Sequence, residues 1–509
     1  MTLVAHHTPL ALPPVARRAK SDPVARRWYA PHPEGNGWQP RAGRARAAVP
    51  SGWLDALLPA MEPVGAALQR IRAAAENGIV VTTGQQPGLF GGPMYTWLKA
   101  LTALALADEL QSRLEIPVAP VFWAATDDSD LAEATVTTVS VPGGWEQIVL
   151  ERKAGRDTPV AVVPVGDVSE ALKKVYAASG SAPHAAILEL LREAYYPGNT
   201  LGGAYVRLLR GVLEPFGITV LDAAHPATRA AASPVLMSAL ERAHDVAGMV
   251  QQRSEEIRAK GLRTQVRPVP GRTLVFSVNG ARRRRILLSE AATFGEGAGP
   301  SDLSPSVLLR PVVERCILPT VAYVGGPAEI AYFAQVGAVA DALHVEPPLV
   351  VPRWSGFLIE PHVQRAMDSL GVTLEELRDP HVVESRVARE ELPGEVQEVL
   401  AGARDSITGL GERLTGAVRS AELPLQDATI RGAMRQLEHK LDRLDRRLVA
   451  AVKRRGSVRL QLLATARGAL FPGEQPQERA LNLIPLLARY GDDPLDSVLA
   501  AARSYVKGV

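Results

Sequence analysis

Three stretches of this chain are apolar on both faces and then break abruptly into glycine or carboxylate: "GIVVTTGQQPG", "IPVAPVFWAATDDSD" and "PTVAYVGGPAEIAYFAQ". A strand with one face in water alternates apolar and polar residues, whereas a strand covered on both sides reads as a continuous apolar run. Such runs belong in the middle of a parallel sheet with helices packed on each face. The covering helices follow in sequence, beginning with the one from Pro93 to about Leu114 and the one in "PAEIAYFAQ". "FGITVLDAAHP", a strand ending at Asp222, and the short run "EPPLVVPRWS" extend the series. As far as about residue 360 the chain therefore reads as an open α/β sheet. Segments 141–199 and 261–288 fit the alternation poorly and read as insertions into the sheet's connections.

Open α/β sheets bind ligands in the crevice beyond the carboxyl ends of their strands, so the loops at those ends are the candidate site. In "TTGQQPGLFGGP", residues Gly84, Gln85, Gln86, Gly91 and Gly92 can offer backbone N–H groups and neutral amides. Gly92 fits a helix N-cap and Pro93 the first helical position, a terminus that receives an anion. Gly325, Gly326 and Pro327 repeat the arrangement, with Glu329 in the first turn; Tyr323 and Gln335 stand either on the opposite wall or at the core edge. A packing loop whose glycines permit tight turns is the alternative reading of the first loop. "DDSD" gathers Asp127, Asp128 and Asp130. Carboxylates this close raise one another's pKa or attract a cation, which suits proton transfer, an amine, or Mg²⁺ accompanying nucleotide phosphates. A solvated turn capping the next element makes the same pattern. Lys99 reads as a surface or supporting cation rather than a catalytic one.

Several chemistries lack their signatures. No G-x-x-x-x-G-K-[ST], G-x-G-x-x-G or G-x-S-x-G occurs, so a P-loop NTPase, a dinucleotide dehydrogenase and a serine hydrolase are unsupported. The single cysteine, Cys316, forms no intramolecular disulfide and no multi-thiolate metal site, and the ten histidines include no HExxH, so no resident metal site is implied. With 57 basic residues against 54 acidic ones, no field favours nucleic acid. No run of about 18 uncharged apolar residues occurs, and "MTLVAHHTPLALPPVARR" lacks a charged start followed by an apolar block. Neither a membrane span nor a secretory signal is expected, and the expected location is the cytoplasm. One basic cluster stands out, Arg282 to Arg285 in "SVNGARRRRI", the outgoing arm of a hairpin turning at Asn279 and Gly280. It reads as a solvated strand, or as one whose alternate guanidinia meet an anion.

The last third changes period. From Val396 the apolar positions run Val396, Leu400, Ala403, Ile407, Leu410, Leu414 and Ala417; from Ile430 they run Ile430, Met434, Leu437, Leu441, Leu444, Leu448 and Ala451. Both alternate steps of four and three, the seam of a coiled coil, with charges such as Asp442, Arg443, Asp445 and Arg446 off the seam. "ELPLQD" separates the two, which predicts an antiparallel coiled-coil hairpin over 381–465, after a core over 1–380 and before a segment, 466–509, that returns to the core. Two ordinary amphipathic helices on the core are the alternative, although over this length they would drift toward a period of 3.6. Gly409, Gly411 and Gly416 weaken the first helix.

Five blocks carry a resemblance: "TGQQPGLFGGPMYTWLKALTALALADEL", "PVFWAATDDSDLAE", "TLGGAYVRLLRGVLEPFGITVLDAAHP", "LLRPVVERCILPTVAYVGGPAEIAYFAQ" and "LFPGEQPQERALNLIPLLARYG", in order from Thr83 to Gly491. They resemble the signature blocks of the BshC family of bacillithiol biosynthesis. The resemblance implies a Rossmann-like core with connecting-peptide insertions, a C-terminal coiled coil mediating a homodimer, and ATP-dependent joining of cysteine to the amine of glucosaminyl-malate. On that reading Gly84, Gln85, Gln86, Gly91 and Gly92 hold an anion. Asp127, Asp128 and Asp130 hold the amine or a metal, and Tyr323, Gly325, Gly326, Glu329 and Gln335 form the opposite wall. The family's acidic block reads Glu-Asp-His-Asp and is soon followed by Asn-His. Here Asp127 stands for the Glu, Ser129 for the His, and Thr135 and Val136 for the Asn-His pair. A member that keeps the pocket but has lost or switched the chemistry is the rival reading.

Overall fold

The computed structural model describes residues 3–155, 157–297 and 299–508. The chain forms two compact units, one of Met1–Val139, Glu146–Ile359 and Gln477–Val509, the other of Ser140–Trp145 and Glu360–Pro476.

The first unit is built on a five-stranded parallel sheet in the order Val350–Pro352, Thr320–Gly325, Ile79–Gln85, Val118–Ala124, Thr219–Asp222. As the apolar runs predict, Val118–Ala124 and Thr320–Gly325 are buried at every position. Helix Tyr95–Leu114 links the first two strands in sequence and is buried all round from Thr96 to Ala107, because it lies between the sheet and the closing helix Asp493–Val506. Helix Pro327–Ala342 does the same for the following pair. The chain starts at Ile79–Gln85 and steps outward to Val118–Ala124 and Thr219–Asp222. It then returns to the other side through Thr320–Gly325 and Val350–Pro352. The strand order thus reverses between Ile79–Gln85 and Thr320–Gly325, and a crevice opens beyond their carboxyl ends.

The predicted hairpin is present as Arg272–Asn279 and Arg282–Leu287; Asn279 pairs with Arg282, so the turn is Gly280, at φ +56°, and Ala281, one residue later than expected, and Leu303–Pro305 adds a third antiparallel strand. Strand Val4–His7, which periodicity did not reveal, pairs antiparallel with Gly356–Ile359.

One helix start differs from expectation. Gly92 and Pro93 were the expected cap and first position, but the helix begins at Tyr95 with Met94 as its cap. A distant segment causes this. The Met94 N–H donates to Leu481 O at 2.9 Å, and Asn482 Nδ2 donates to the carbonyls of Leu89, Phe90 and Gly92 at 3.3, 2.9 and 3.4 Å. The glycine loop is therefore bound by side-chain and backbone partners of its own chain.

The second unit contains helices Gly394–Ser420 and Asp427–Arg455, packed on one another as the heptads predict. Gly411 allows a close approach, since a Cβ there would stand 2.9 Å from Met434 Cγ of the facing helix. The seam departs from strict heptads. Leu410, Leu414, Leu437 and Leu444 remain 38–49% exposed, while Asp445, expected off the seam, is buried and paired with Arg389 at 2.8 Å and Arg404 at 3.4 Å. Helix Pro380–Glu390 explains the shift, because it lies against Asp427–Arg455 and draws that side inward.

Candidate active site

A cavity of about 520 Å³ occupies the crevice where the strand order reverses. Strand Ile79–Gln85 reaches it with Gly84 and Gln85, and Gln86 follows; the loop after Val118–Ala124 brings Asp127 and Asp128. The start of helix Pro327–Ala342 brings Gly326, Pro327, Ala328 and Glu329. Glycine at 326 caps that helix with proline first, as the sequence predicts, and the Gly326 N–H donates to Glu329 Oε2 at 2.8 Å.

The floor is a buried ion pair. Lys99 Nζ lies 2.5 Å from Glu329 Oε2 and also donates to Gly84 O at 2.9 Å and Gln85 Oε1 at 2.8 Å. Tyr323 donates its hydroxyl proton to the other Glu329 oxygen. Burial alone would raise the Glu329 carboxyl, but Lys99, the Gly326 N–H and Tyr323 outweigh it and hold the carboxyl below its usual range. Burial pulls the Lys99 amine down, with Glu329 opposing. Two arginines complete this wall. Arg310 is paired with Glu314 and donates to the hydroxyls of Tyr323 and Tyr332 at 3.2 and 3.1 Å. Arg353 is paired with the buried Glu478 at 2.6 and 2.9 Å.

The same cavity is also lined by carboxylates. Asp127 Oδ2 accepts from Arg283 Nη2 at 3.3 Å, and Arg283 is anchored by Ser304 Oγ at 2.8 Å and Pro305 O at 2.7 Å. Burial pushes the Asp127 carboxyl up; Arg283 pulls it down and Asp128 adds to the rise. Glu133 accepts from the Tyr95 hydroxyl at 3.1 Å and Gln85 Nε2 at 3.3 Å, and burial raises its carboxyl too, with Tyr95 opposing. Asp128 accepts from Gln86 Nε2 at 3.0 Å and from the Ser129 N–H at 2.6 Å. Gln85 thus bridges cation and carboxylate, its oxygen on Lys99 and its nitrogen on Glu133. Two raised carboxyls beside the cavity hold a proton more readily than ordinary carboxylates, which suits proton transfer.

The cavity brings together Gly84, Gln85, Gln86, Asp127, Asp128, Gly326 and Glu329. It leaves out six others. Gly91, at φ +90°, is pressed on Trp97, where a Cβ would meet Cζ2 at 2.5 Å, and the Gly92 carbonyl is held by Asn482, so for these two the packing-loop alternative applies. Asp130 caps the turn Leu131–Ala134, accepting from the Glu133 N–H at 3.2 Å. Tyr323 is buried behind Glu329, and Gly325 is packed against Val350 while its carbonyl accepts from the Arg353 N–H at 3.0 Å. Gln335 is fully buried and binds Val266 N and O and Ser254 Oγ, which fastens the approach to the hairpin onto the helix.

Other site residues escaped the sequence reading. Lys99, read as a surface or supporting cation, is 3% exposed, because its side chain turns to the strand end and is enclosed by Gly84, Gln85 and Glu329. Arg353 directly follows a strand's carboxyl end, a position that strand order alone would have flagged. Arg310 and Arg479 had no such positional signal. Of the four clustered arginines, Arg283 and Arg285 line the cavity while Arg282 and Arg284 face solvent, as strand alternation requires. Among the described residues no group of three or more His, Cys, Asp or Glu converges as a metal site. Asp127, Asp128 and Asp130 instead take three separate partners.

A parallel sheet with a charged crevice at its switch point defines a Rossmann-like domain. Residues 54–354 match the model of the bacillithiol biosynthesis BshC N-terminal Rossmann-like domain, and residues 356–507 match the BshC C-terminal coiled-coil domain. The chain belongs to the BshC family. It is 31% identical over 453 residues to a protein of Koribacter versatilis named "Putative cysteine ligase BshC", covering 86% of this chain and 84% of the other. Proteins of the same name from Solibacter usitatus and Salinibacter ruber are 30% and 29% identical, covering 86% and 92% of this chain and 85% and 91% of theirs.

Proposed function

We propose that this protein is a carbon–nitrogen ligase that joins cysteine to the amine of glucosaminyl-malate with consumption of ATP. The observation that supports the reading is that one cavity is lined both by the raised carboxyls of Asp127 and Glu133 and by several cations and a helix N-terminus. The amine must be neutral to attack. Asp127 or Glu133 removes its proton, the new C–N bond forms at the activated acyl carbon, and the C–O bond to the leaving group breaks. When bound, ATP supplies that activation. The Ala328 N–H at the helix start, with Arg353 and Arg479, would suit its phosphates, and Mg²⁺ would serve as the counterion of those phosphates.

A second reading, a member that binds its ligands but no longer performs this ligation or uses another acceptor, is favoured by one observation. Ser129 stands where the family has histidine, and the Thr135 hydroxyl, at the Asn position, is bound to Leu131 O at 2.7 Å. Product formation by mass spectrometry with ATP, cysteine and glucosaminyl-malate tests the first reading. Nucleotide binding without ATP consumption, or consumption only with another amine, marks the second.

The exposed leucines of the coiled coil support a homodimer formed through that unit. Leu410, Leu414, Leu437 and Leu444 are large apolar side chains that the helical pair leaves partly uncovered.

A further inference from the structure

Arg285 differs from the other part-buried cations of the cavity. Lys99, Arg283, Arg310 and Arg353 are each paired with a carboxylate of the fold, and Arg479 is exposed. Arg285 has no carboxylate or hydrogen-bond partner for its guanidinium among the described residues; it lies against the Phe276 ring, 4.9 Å from the centroid, with Arg283 on the same ring at 4.0 Å. Burial and the neighbouring Arg283 and Arg272 all disfavour its charge. It also stands at a boundary. Arg285, Val266, Ser306 and Val307 line both the main cavity and a second, largely apolar one of about 390 Å³, whose lining contains no Asp or Glu. A part-buried guanidinium among like charges, to which none of the cavity's carboxylates is paired, is an incomplete site for an anion.

We propose that Arg285 is a specificity-determining residue, receiving a carboxylate of the acceptor's dicarboxylic-acid moiety at the neck between the two cavities. This deepens the ligase reading above and rests on it. The paired Arg283 positions the hairpin, and the aromatic face of Phe276 holds the Arg285 guanidinium flat toward the carboxylate. Arg284 points to the other face and is paired with Glu290 at 3.1 Å, so it takes no part.

The test uses full-length protein and two acceptors, glucosaminyl-malate and methyl glucosaminide, which lacks the carboxylates. In Arg285→Gln the KM for glucosaminyl-malate should rise by about 10- to 100-fold, the loss of one charge-assisted contact, while kcat and the KM for cysteine change less than twofold. Methyl glucosaminide should bind wild type and variant alike. Arg285→Lys should recover part of the loss, and Arg284→Gln should match wild type. Calorimetric titration of each acceptor without ATP or cysteine should give the same ratios independently of turnover. Equal weakening of both acceptors in Arg285→Gln, or no weakening of either, overturns the proposal. Failure of the wild-type protein to bind either acceptor instead overturns the ligase reading, and the proposal with it.

Discussion

Lys99 and Glu329, from helices that leave two adjacent strands of the sheet, meet at 2.5 Å beneath the cavity, and both side chains are largely withdrawn from solvent. Removing one partner leaves the other buried and uncompensated, which costs more than the pair itself contributes. Lys99→Met should destabilise the protein by about 3–5 kcal/mol in urea unfolding. Lys99→Met with Glu329→Gln should be the milder change. Because the Glu329 carboxyl lies below its ordinary value in the folded state, its contribution is complete above that ordinary value and disappears as pH falls through the lower folded one. A pH series should therefore show wild type losing its advantage over Glu329→Gln only in acid.

Asp127 has the opposite sign. Burial raises its carboxyl, so a base at this position becomes protonated, and inactive, at a higher pH than an ordinary aspartate. Ligation should decline on the acid side through a pKa above the usual carboxylate range. Asp127→Asn should lower kcat by roughly 10²- to 10⁴-fold and remove that acid limb. An acid limb unchanged in the variant would assign it to Glu133.

The exposed coiled-coil leucines give a test that spares the fold. Leu437 and Leu444 are 38% and 49% exposed within one chain, so a charge at each meets water and not the packed seam. Leu437→Asp with Leu444→Asp should yield monomers in light scattering with helix content by circular dichroism unchanged. A dimer that persists in the double variant places the contact elsewhere.

Ser129 is the position where the family's imidazole is missing, yet it does not line the cavity, and its N–H is engaged by Asp128 at 2.6 Å. Restoring the ring as Ser129→His should therefore change turnover by less than about tenfold, well short of a positioned acid or base. A gain of 100-fold or more would mean that the imidazole reaches the substrate.

The sheet was readable in advance because burial on both faces writes itself into a strand such as Val118–Ala124 as an unbroken apolar run. The heptads of Gly394–Ser420 and Asp427–Arg455 were readable for a similar reason, periodicity being local. The site was readable only where it coincides with a strand end, as at Gly84, Asp127 and Gly326. The burial of Lys99 and Asp445 was not legible, because it comes from tertiary contacts that local periodicity does not report: Gly84, Gln85 and Glu329 enclose one, and Pro380–Glu390 with its Arg389 covers the other. Gly91 could not be told apart by composition, since glycine that serves close packing against Trp97 looks the same in a sequence as glycine that cradles an anion.

Asn482 binds three carbonyls of the loop that begins near the first sheet strand, and Glu478 holds Arg353 from the same late segment. A ribosome delivers Asn482 almost four hundred positions after the loop it restrains. The early strands can pair during synthesis, but the crevice acquires its final shape only when the last part of the chain is free to dock. Competence to bind is thereby coupled to completion of this segment, and a product of premature termination upstream of it would carry the sheet without a finished site.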